Sequence, residues 1–470
     1  MVAAGLAVFM ASVDMSIVNV ALPAIERDFQ VATSMTEWVV LAYLLPLAGL
    51  ALPSGRWLDS VGRRPALGFS LTGFALASIA AGIAPSLAWL IGARLVQGTF
   101  GALLFSLVPA LATAAVRPQA RGRAMGLITT LGPLGLISGP GLRGRAMGLI
   151  TTLGPLGLIS GPGLGGMVVE VLGWPWIFFV NVPVSVLVMV VGVRMLAPDA
   201  PLRVPGRTWF AESALLSAAV AALLLALSFT ASKGPAWMML ALLSPPLLLL
   251  WLRMPISGAV RELFRTPGEV GPHLALGSAA TAIGVVFFIT PYFMQREVGE
   301  SVSVAGVTLL FFPAGMALMG PVGGVLGDWW GHRSTAVLGA VLFTGGLALL
   351  LPMDGSWGPA DLAWRLFLAG CGNGLFNAPN MAMAMTNTPP HLLATTGSST
   401  SLARTMGFAM GPALATLVWS LSDQPGGMRA AIILATAISA LSAVALVCIR
   451  AAGKQTADTQ NQRAVNDSMT

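Results

Sequence analysis

Charged side chains are scarce in this sequence. Of its 470 residues only 9% are charged, whereas 56% are hydrophobic, and the mean hydropathy is +0.82. Soluble domains carry roughly a quarter of charged residues, and disordered chains have a much lower apolar content. The composition therefore excludes a water-soluble enzyme and a disordered chain, and it predicts a protein that crosses a membrane many times.

Residues that form cross-links, bind metals or hold ATP are also rare. The two cysteines, Cys371 and Cys448, lie in apolar runs far apart, and the three histidines form no ligand cluster, which excludes a disulfide framework. No phosphate-binding G-x4-G-K-[ST] sequence occurs. The 25 basic residues are scattered between apolar runs and form no stripe for nucleic acid. We therefore predict no enzyme activity, no cofactor, no metal and no nucleic-acid partner.

Fourteen apolar stretches approach the ~20 residues that a helix needs to cross a bilayer. We predict an all-α polytopic membrane protein with a 6+2+6 arrangement. Residues 1–196 form one six-helix half, 197–272 carry two linker helices, 273–449 form the other half, and 450–470 are a polar tail. The predicted spans are 2–23, 37–55, 66–84, 89–116, 146–172, 174–196, 211–230, 236–252, 273–293, 304–327, 335–352, 361–385, 400–420 and 429–449.

Positive charge is distributed unevenly between the loops. Cytoplasmic loops of membrane proteins carry an excess of Lys and Arg, so both termini are predicted to lie in the cytoplasm at the cell membrane. The predicted cytoplasmic residues are Arg56, Arg63, Arg64, Arg117, Arg121, Arg123, Arg203, Arg207, Arg253, Arg261, Arg265, Arg333, Arg450, Lys454 and Arg463, against Arg27, Lys233, Arg296 and Arg429 outside.

Two repeats are visible. Gly55–Arg64 has the form G-x3-D-x2-G-R-R, and a similar pattern returns at 324–333, as expected of a transporter built from two parallel halves. The second repeat is exact, since residues 121–142 and 143–164 are identical. An extra crossing by the first copy would place every later loop on the opposite side of the membrane, so that the arginine-rich loops would lie outside. We therefore predict that this copy is a re-entrant or interfacial segment, and that the second copy forms the fifth span.

Four motifs resemble the fourteen-helix drug:proton antiporter branch of the major facilitator superfamily, over nearly the whole chain. The stretch Trp174–Pro183 also resembles the sixth helix of that branch. The resemblance implies the major facilitator fold, with a substrate held between two pseudo-symmetric halves. The four motifs are Asp14-x4-Asn19-Val-Ala-Leu-Pro23, the loop Gly55–Arg64, Arg94-Leu-Val-Gln97-Gly98, and Gly157-x3-Gly161-Pro162-x2-Gly165-Gly166.

Asp14 and Arg94 are the candidate proton-coupling residues. Asp14 lies in mid-span with no charged neighbour in the sequence, so desolvation disfavours its carboxylate and lets it exchange a proton; the alternative is a protonated polar core residue. The matching Asp of the family binds the proton. An intramembrane Arg should face a cavity or an acid, and the resemblance implies a proton relay for Arg94; alternatively it fixes its helix by bonding to carbonyls. Arg365, which Asp361 could neutralise, and Arg404 are weaker candidates.

Two further motifs suggest how the halves move. The resemblance implies that the Gly55–Arg64 loop latches the halves in an outward-open state, although its arginines also serve as positive-inside anchors. Gly-Pro-rich sequence in the fifth span lets a helix bend and pack closely, and its resemblance to the motif of the antiporter branch implies export rather than uptake; ordinary small-residue packing is the alternative. The gating residues are Gly55, Asp59, Gly62, Arg63, Arg64, Asp328 and Arg333, and the antiporter-motif residues are Gly157, Gly161, Pro162, Gly165 and Gly166.

The sequence thus predicts a proton-coupled exporter of amphipathic drugs or antibiotics. Its partners would be a small amphipathic substrate, protons and the lipid bilayer, and a monomer is the expected form. Asp14 is the one acid predicted well inside a span, which suits bulky apolar or weakly cationic cargo better than dications. The alternative is a proton symporter that takes up a small solute.

Overall fold

The computed structural model describes residues 2–58, 60–114, 157, 160–195, 199–422 and 426–448. These residues are helical apart from short connections, and no strand occurs among them. Nine helices in these ranges are long and apolar enough to cross a membrane, or ten if one bent pair counts as a single span. The all-α polytopic fold predicted from composition is confirmed.

The first half begins with a long helix and contains two broken spans. A single helical turn, Thr33–Thr36, precedes the second span. The helices are α1 (Val2–Phe29), α2 (Trp38–Gly49), α3 (Ala51–Leu58), α4 (Arg63–Gly82), α5 (Leu87–Ala114), α6 (160–172), α7 (Trp176–Phe179) and α8 (Asn181–Met195).

Two linker spans and the second half follow. The second linker begins as a 3₁₀ helix, Pro235–Leu243, and the first helix of the second half ends in a π-helical turn, Phe293–Glu297. The helices are α9 (Arg207–Lys233), α10 (Ser244–Arg253), α11 (Gly258–Arg265), α12 (Val270–Tyr292), α13 (Val302–Trp330), α14 (His332–Ala348), α15 (Pro359–Asn387), α16 (Leu393–Leu421) and α17 (Gly426–Cys448).

Proline determines where two of the predicted spans break. A proline has no N–H to donate to the carbonyl four residues earlier. Pro53 follows the end of α2 at Gly49 by four residues, and Pro183 follows the end of α7 at Phe179 by the same distance. The second span is bent by 50° at its break. Both spans were predicted as continuous, and the missing donors explain why they are not.

The ends of the other predicted spans agree with helix ends to within seven residues, except for the fifth span, which is described only at residue 157 and from residue 160 onward. The first copy of the duplication, 121–142, and most of the second copy, 143–164, lie outside the described residues. The predicted re-entrant segment 124–142 therefore stays a prediction.

The two ends of the helix bundle differ in charge. We call the end that carries Arg63, Arg203, Arg265 and Arg333 the basic end, and the end that carries the loops 30–32, 173–175 and 298–301 the opposite end. The basic end is the one that the positive-inside rule predicts to be cytoplasmic. The candidate site and the contacts between the halves are described relative to these two ends.

The two halves touch through polar contacts at the opposite end. Arg296 Nη2 lies 2.5 Å from Glu26 Oε1, and the backbone N–H of Ser303 donates to Glu170 Oε2 at 2.9 Å. Gln295 Nε2 donates to the carbonyl oxygen of Val20 at 3.2 Å. Each contact joins a residue of the first half to one of the second, so these bonds close the bundle at this end.

A buried acid lies where α12 starts, at the basic end. Glu269 is fully buried, and its Oε1 accepts a hydrogen bond of 2.9 Å from Thr388 Oγ1. His273 Nδ1 lies 3.8 Å from Glu269 Oε2. Burial raises the pKa of Glu269 to about 7, while the bond from Thr388 acts in the other direction.

This raised pKa predicts that stability falls as pH rises. Between the ordinary pKa of 4.5 and about 7 the unfolded chain has lost the Glu269 proton while the folded chain retains it, so folding is penalised over that window and the penalty is constant above it. We expect the Tm of the purified protein to fall by about 2–4 °C from pH 5 to pH 8, and Glu269→Gln to remove that part of the fall. Thermal unfolding in detergent at both pH values measures this.

The exposed acid Asp328 at the same end supplies the control. Asp328→Asn should keep the pH dependence of the wild type. The assignment to Glu269 would be contradicted if both variants lost the same part of the pH dependence, or if neither variant lost any of it.

Candidate functional site

Asp14 lies at the centre of a buried polar network in the first half. Its carboxylate is fully buried on α1. Oδ2 lies 2.6 Å from Arg94 Nη1 on α5, while Oδ1 accepts from Gln97 Nε2 at 3.0 Å and from Asn181 Nδ2 at 2.7 Å. Three donors from two other helices therefore converge on one carboxylate.

Arg94 is held on every side. Its Nε donates to the carbonyl oxygen of Val39 at 3.0 Å, and Nη1 also donates to Gln97 Oε1 at 2.7 Å. The guanidinium lies over the ring of Tyr43, 4.2 Å from its centroid. Arg94 therefore faces an acid and also bonds to a backbone carbonyl, and its role in a proton relay stays a prediction.

The fold gives Asp14 a charged neighbour that the sequence around it does not show. Arg94 lies 80 positions away in the sequence, and the fold brings it to Asp14 because α5 approaches its neighbours closely. A side chain at Gly98 would lie 2.2 Å from the carbonyl oxygen of Tyr43, and one at Gly101 would lie 2.9 Å from the Tyr43 hydroxyl. The adjacent cation and two N–H donors give both oxygens of this buried side chain a hydrogen-bond partner.

Two partners in this network were missed in the sequence. Asn181 is the first residue of α8, just after the break that Pro183 imposes. Ser78 Oγ on α4 accepts from Gln97 Nε2 at 2.8 Å, which orients the amide toward Asp14. An asparagine inside the apolar stretch Trp174–Pro183 was the available signal for the first, whereas one serine among many carries none.

The antiporter-motif glycines lie where α6 packs against α1 and, at Gly166, against the second half. Side chains added at Gly157, Gly161 or Gly165 would meet α1, and the closest approach is 1.9 Å, from Gly161 to Ser16 Oγ. One added at Gly166 would lie 2.7 Å from the carbonyl oxygen of Val302 in the second half. The motif therefore lets α6 pack between α1 and α13.

Pro162 contributes its backbone to the same interface. A side chain at Gly306 on α13 would lie 2.3 Å from the Pro162 carbonyl oxygen and 3.2 Å from the Gly166 Cα atom. Close backbone approach between helices is the packing that small residues permit in membranes. Here it joins one half of the bundle to the other.

The first gating loop is held by the segment that follows α8. The backbone N–H groups of Arg63 and Arg64 donate to the Asp199 carboxylate at 2.5 and 3.4 Å, at the N-terminus of α4. A side chain at Gly62 would lie 1.8 Å from the Ala200 carbonyl oxygen. Gly55 has open space beside it, and Asp59 lies outside the described residues.

The second gating pattern holds the corresponding place in the other half. Arg333, at the start of α14, donates to the carbonyl oxygens of Leu446 and Val447 at 3.1 and 2.6 Å. These carbonyls end α17, where a cation is favourable. Asp328 is exposed. In each half the loop after the second span therefore contacts the region where the sixth helix ends.

The two remaining intramembrane arginines differ in their surroundings. Arg365 lies 3.6 Å from Asp361 Oδ1 and stacks on the rings of Trp357 and Trp364. The side chain of Arg404 is exposed, and its Nη2 donates to Asn377 Oδ1 at 3.5 Å. Arg365 is thus neutralised locally, as Asp361 predicted.

Two helical halves, joined by linker helices and containing a buried acid–arginine pair, define a polytopic secondary transporter. No group of His, Cys, Asp or Glu that could hold a metal ion occurs in the described part of the chain. The chain belongs to the Major Facilitator Superfamily, whose sequence profile matches residues 4–144, 140–260 and 273–467. The first two matches overlap at 140–144, where the two 22-residue copies join.

The names of known relatives indicate different transported compounds. The chain is 30% identical over 427 residues to the multidrug resistance protein Stp of Mycobacterium tuberculosis, covering 87% of this chain and 74% of Stp. It is 27% identical over 417 residues to the riboflavin transporter RibZ of Clostridioides difficile, covering 86% and 84% of the two chains. The resemblance to the drug-resistance exporters of the superfamily is confirmed.

A solved structure supports the fold independently. A bacterial homolog of the human lysosomal transporter Spinster, crystallised in an inward-facing and unoccupied conformation, aligns with a TM-score of 0.66 over 95% of this chain and 96% of its own. At 15% sequence identity this likeness shows the fold alone. The predicted major facilitator fold is confirmed.

Proposed function

We propose that this protein is a proton-coupled exporter of small amphipathic compounds, drugs or antibiotics among them, that works by alternating access in the cell membrane. The observation that carries the proposal is the Asp14–Arg94 pair, a buried acid with a 2.6 Å cationic partner in a chain of this family. Both termini and the basic end are proposed to lie in the cytoplasm, and a monomer is proposed as the working unit.

Proton coupling would act through the strength of this pair. As a carboxylate, Asp14 accepts from Arg94, Gln97 and Asn181, which ties α1 to α5 and α8. A proton on Asp14 removes the counter-charge of Arg94 and one acceptor site, so the three helices are held less firmly. In the proposed cycle, the carboxylate belongs to this conformation and the protonated form to a different packing.

Helix α1 connects the proton site to the contact between the halves. Ser16 and Ile17, on the turn after Asp14, meet the glycines of α6, and α6 in turn meets α13. A small shift of α1 on protonation would therefore reach the interface that closes the opposite end. The proposed cycle uses Asp14 to bias that interface between closed and open, which is a coupling free energy in the thermodynamic sense.

Everted membrane vesicles test the proposal. With an acidified lumen reported by a quenched acridine dye, adding an amphipathic compound outside should dequench the dye, since the exporter exchanges it for luminal protons. Vesicles without the protein should give no response. A proton symporter would instead dequench only when its solute is loaded inside, and silence toward a broad compound panel would count against export.

A further inference from the structure

Arg404 on α16 lies deep in the bundle and yet its side chain is exposed. It is eleven residues from the start of α16 at Leu393, about 16 Å along the helix axis. At that depth an arginine facing hydrocarbon is costly. The side chain is exposed, and its guanidinium reaches toward Asn377 on the neighbouring helix α15, so it faces a space between helices of the bundle.

The residues around Arg404 support an aqueous space. Ser401, one turn before Arg404 on the same face of α16, is also exposed, so the two side chains form a short polar stripe. A polar stripe of this kind is tolerated within a membrane where it lines a water-filled cavity and not where it meets lipid. The guanidinium also reaches toward Asn377 on α15, a helix that touches α16 at few points. The stripe therefore lines a gap between α15 and α16.

The charge of Arg404 is not compensated within the described residues. Arg94 has Asp14 at 2.6 Å and Arg365 has Asp361 at 3.6 Å. Among the residues that the structure describes, Arg404 makes no ion pair and one long hydrogen bond, of 3.5 Å, to Asn377. An arginine presents several N–H donors in a fixed fork that matches a carboxylate or sulfonate.

We propose that Arg404, assisted by Asn377, binds the anionic group of the exported amphiphile. The cargo class is then an amphiphile with a carboxylate, sulfonate or similar monoanion, rather than the weakly cationic compounds that the sequence suggested. This assignment rests on the proposed export function, because it identifies the occupant as cargo. Asp14 stays paired with Arg94, so in this proposal the first half binds the proton and the second half binds the anionic group.

A pair of probes that differ in one charge tests the assignment. 8-Anilinonaphthalene-1-sulfonate is anionic, and N-phenyl-1-naphthylamine is the same ring system without the sulfonate. Fluorescence titrations of the purified full chain in dodecyl maltoside, corrected with protein-free micelles, give both affinities. We expect Arg404→Gln to weaken binding of the sulfonate at least about tenfold, with the neutral probe changed less than twofold, and Arg404→Lys to retain more sulfonate binding than Arg404→Gln.

Arg365→Gln is the matched control, since it removes an intramembrane arginine that is already neutralised; it should leave sulfonate binding unchanged. If Arg404→Gln does not fold, Asn377→Ala should weaken sulfonate binding about threefold. Unchanged sulfonate binding in Arg404→Gln, or equal weakening of both probes, would overturn the proposal. Displacement of the sulfonate by phosphatidylglycerol but not by phosphatidylcholine would assign the site to lipid and overturn it too.

The binding experiment is separable from the export test. Vesicles that show no compound-driven proton exchange, together with charge-selective binding lost in Arg404→Gln, would defeat the export function and leave an anion site. Proton exchange driven by neutral and anionic compounds alike in wild type and Arg404→Gln would defeat the anion site and leave export.

Discussion

Asp14→Asn is expected to abolish proton-driven efflux, reducing substrate-induced dequenching in everted vesicles to the level of vesicles without the protein. Asparagine has the size of aspartate and can keep a bond from Gln97 or Asn181, but it cannot carry a proton at physiological pH. The network would stay polar while losing the step that links proton binding to helix packing. Substrate counterflow in proteoliposomes, which needs no net proton movement, should persist.

The loss of the acid also leaves Arg94 buried without a counter-charge. Removing one partner of a buried pair costs about 3–5 kcal/mol, whereas removing both is often nearly neutral. We therefore expect Asp14→Asn to lower the Tm, and Asp14→Asn/Arg94→Gln to recover most of it without recovering efflux. This double variant separates failure to fold from failure to couple.

Asp361→Asn provides a matched acid elsewhere in the membrane domain. Like Asp14 it lies beside an arginine, yet it is near a helix start and its partner Arg365 is also held by two tryptophan rings. It should retain efflux close to the wild-type rate. Proton-driven efflux at the wild-type rate in Asp14→Asn would remove Asp14 from the mechanism.

The sequence predicted helices well because their signal is local. Each apolar run is long enough to span, whereas the breaks at Gly49 and Phe179 were not predicted, although the missing N–H groups of Pro53 and Pro183 explain them. The duplication was also evident from the sequence, since residues 121–142 and 143–164 are identical. Fold class and family followed from these local features together with short motifs.

The sequence did not predict which of the site residues contact each other. Asp14 and Arg94 were each identified as costly in hydrocarbon. Their contact depends on how α1, α2 and α5 pack together. Gly98 and Gly101 permit that packing because they let α5 approach Tyr43 of α2 closely, which the sequence alone does not show. Asp361, four residues earlier, indicated a partner for Arg365, but nothing in the sequence indicated the surroundings of Arg404. Arg365 is neutralised and Arg404 faces open space, which only the surrounding helices show.

The second large effect concerns the interface at the opposite end. Gly306→Val is expected to push α13 away from α6, because the added Cβ would lie 2.3 Å from the carbonyl oxygen of Pro162. A backbone atom cannot rotate aside as the end of a side chain does. Overpacking of this kind costs about 1–3 kcal/mol, and the cost falls on the closed state alone if the helices separate when the opposite end opens.

That energy converts directly to a population shift of about 5- to 150-fold toward the open form. Spin labels at Ala88→Cys and Ala360→Cys, with Cys371 and Cys448 replaced by serine, would measure the distance between the halves at the opposite end. We expect Gly306→Val to populate longer distances and to lower efflux at least about tenfold, since alternating access needs both states.

Gly345→Val adds the same side chain to a helix of the same half where nothing lies within 4 Å, so it should change neither the distance distribution nor efflux. Unchanged distances in Gly306→Val would mean that α6 and α13 do not seal the opposite end. Because Ser16 and Ile17 of α1 meet the α6 glycines on the turn after Asp14, a shifted distribution would also predict a changed pH dependence of opening. Spin-label distances recorded across pH in Gly306→Val and in Gly306→Val/Asp14→Asn would then show whether protonation of Asp14 is coupled to opening of the interface between α6 and α13.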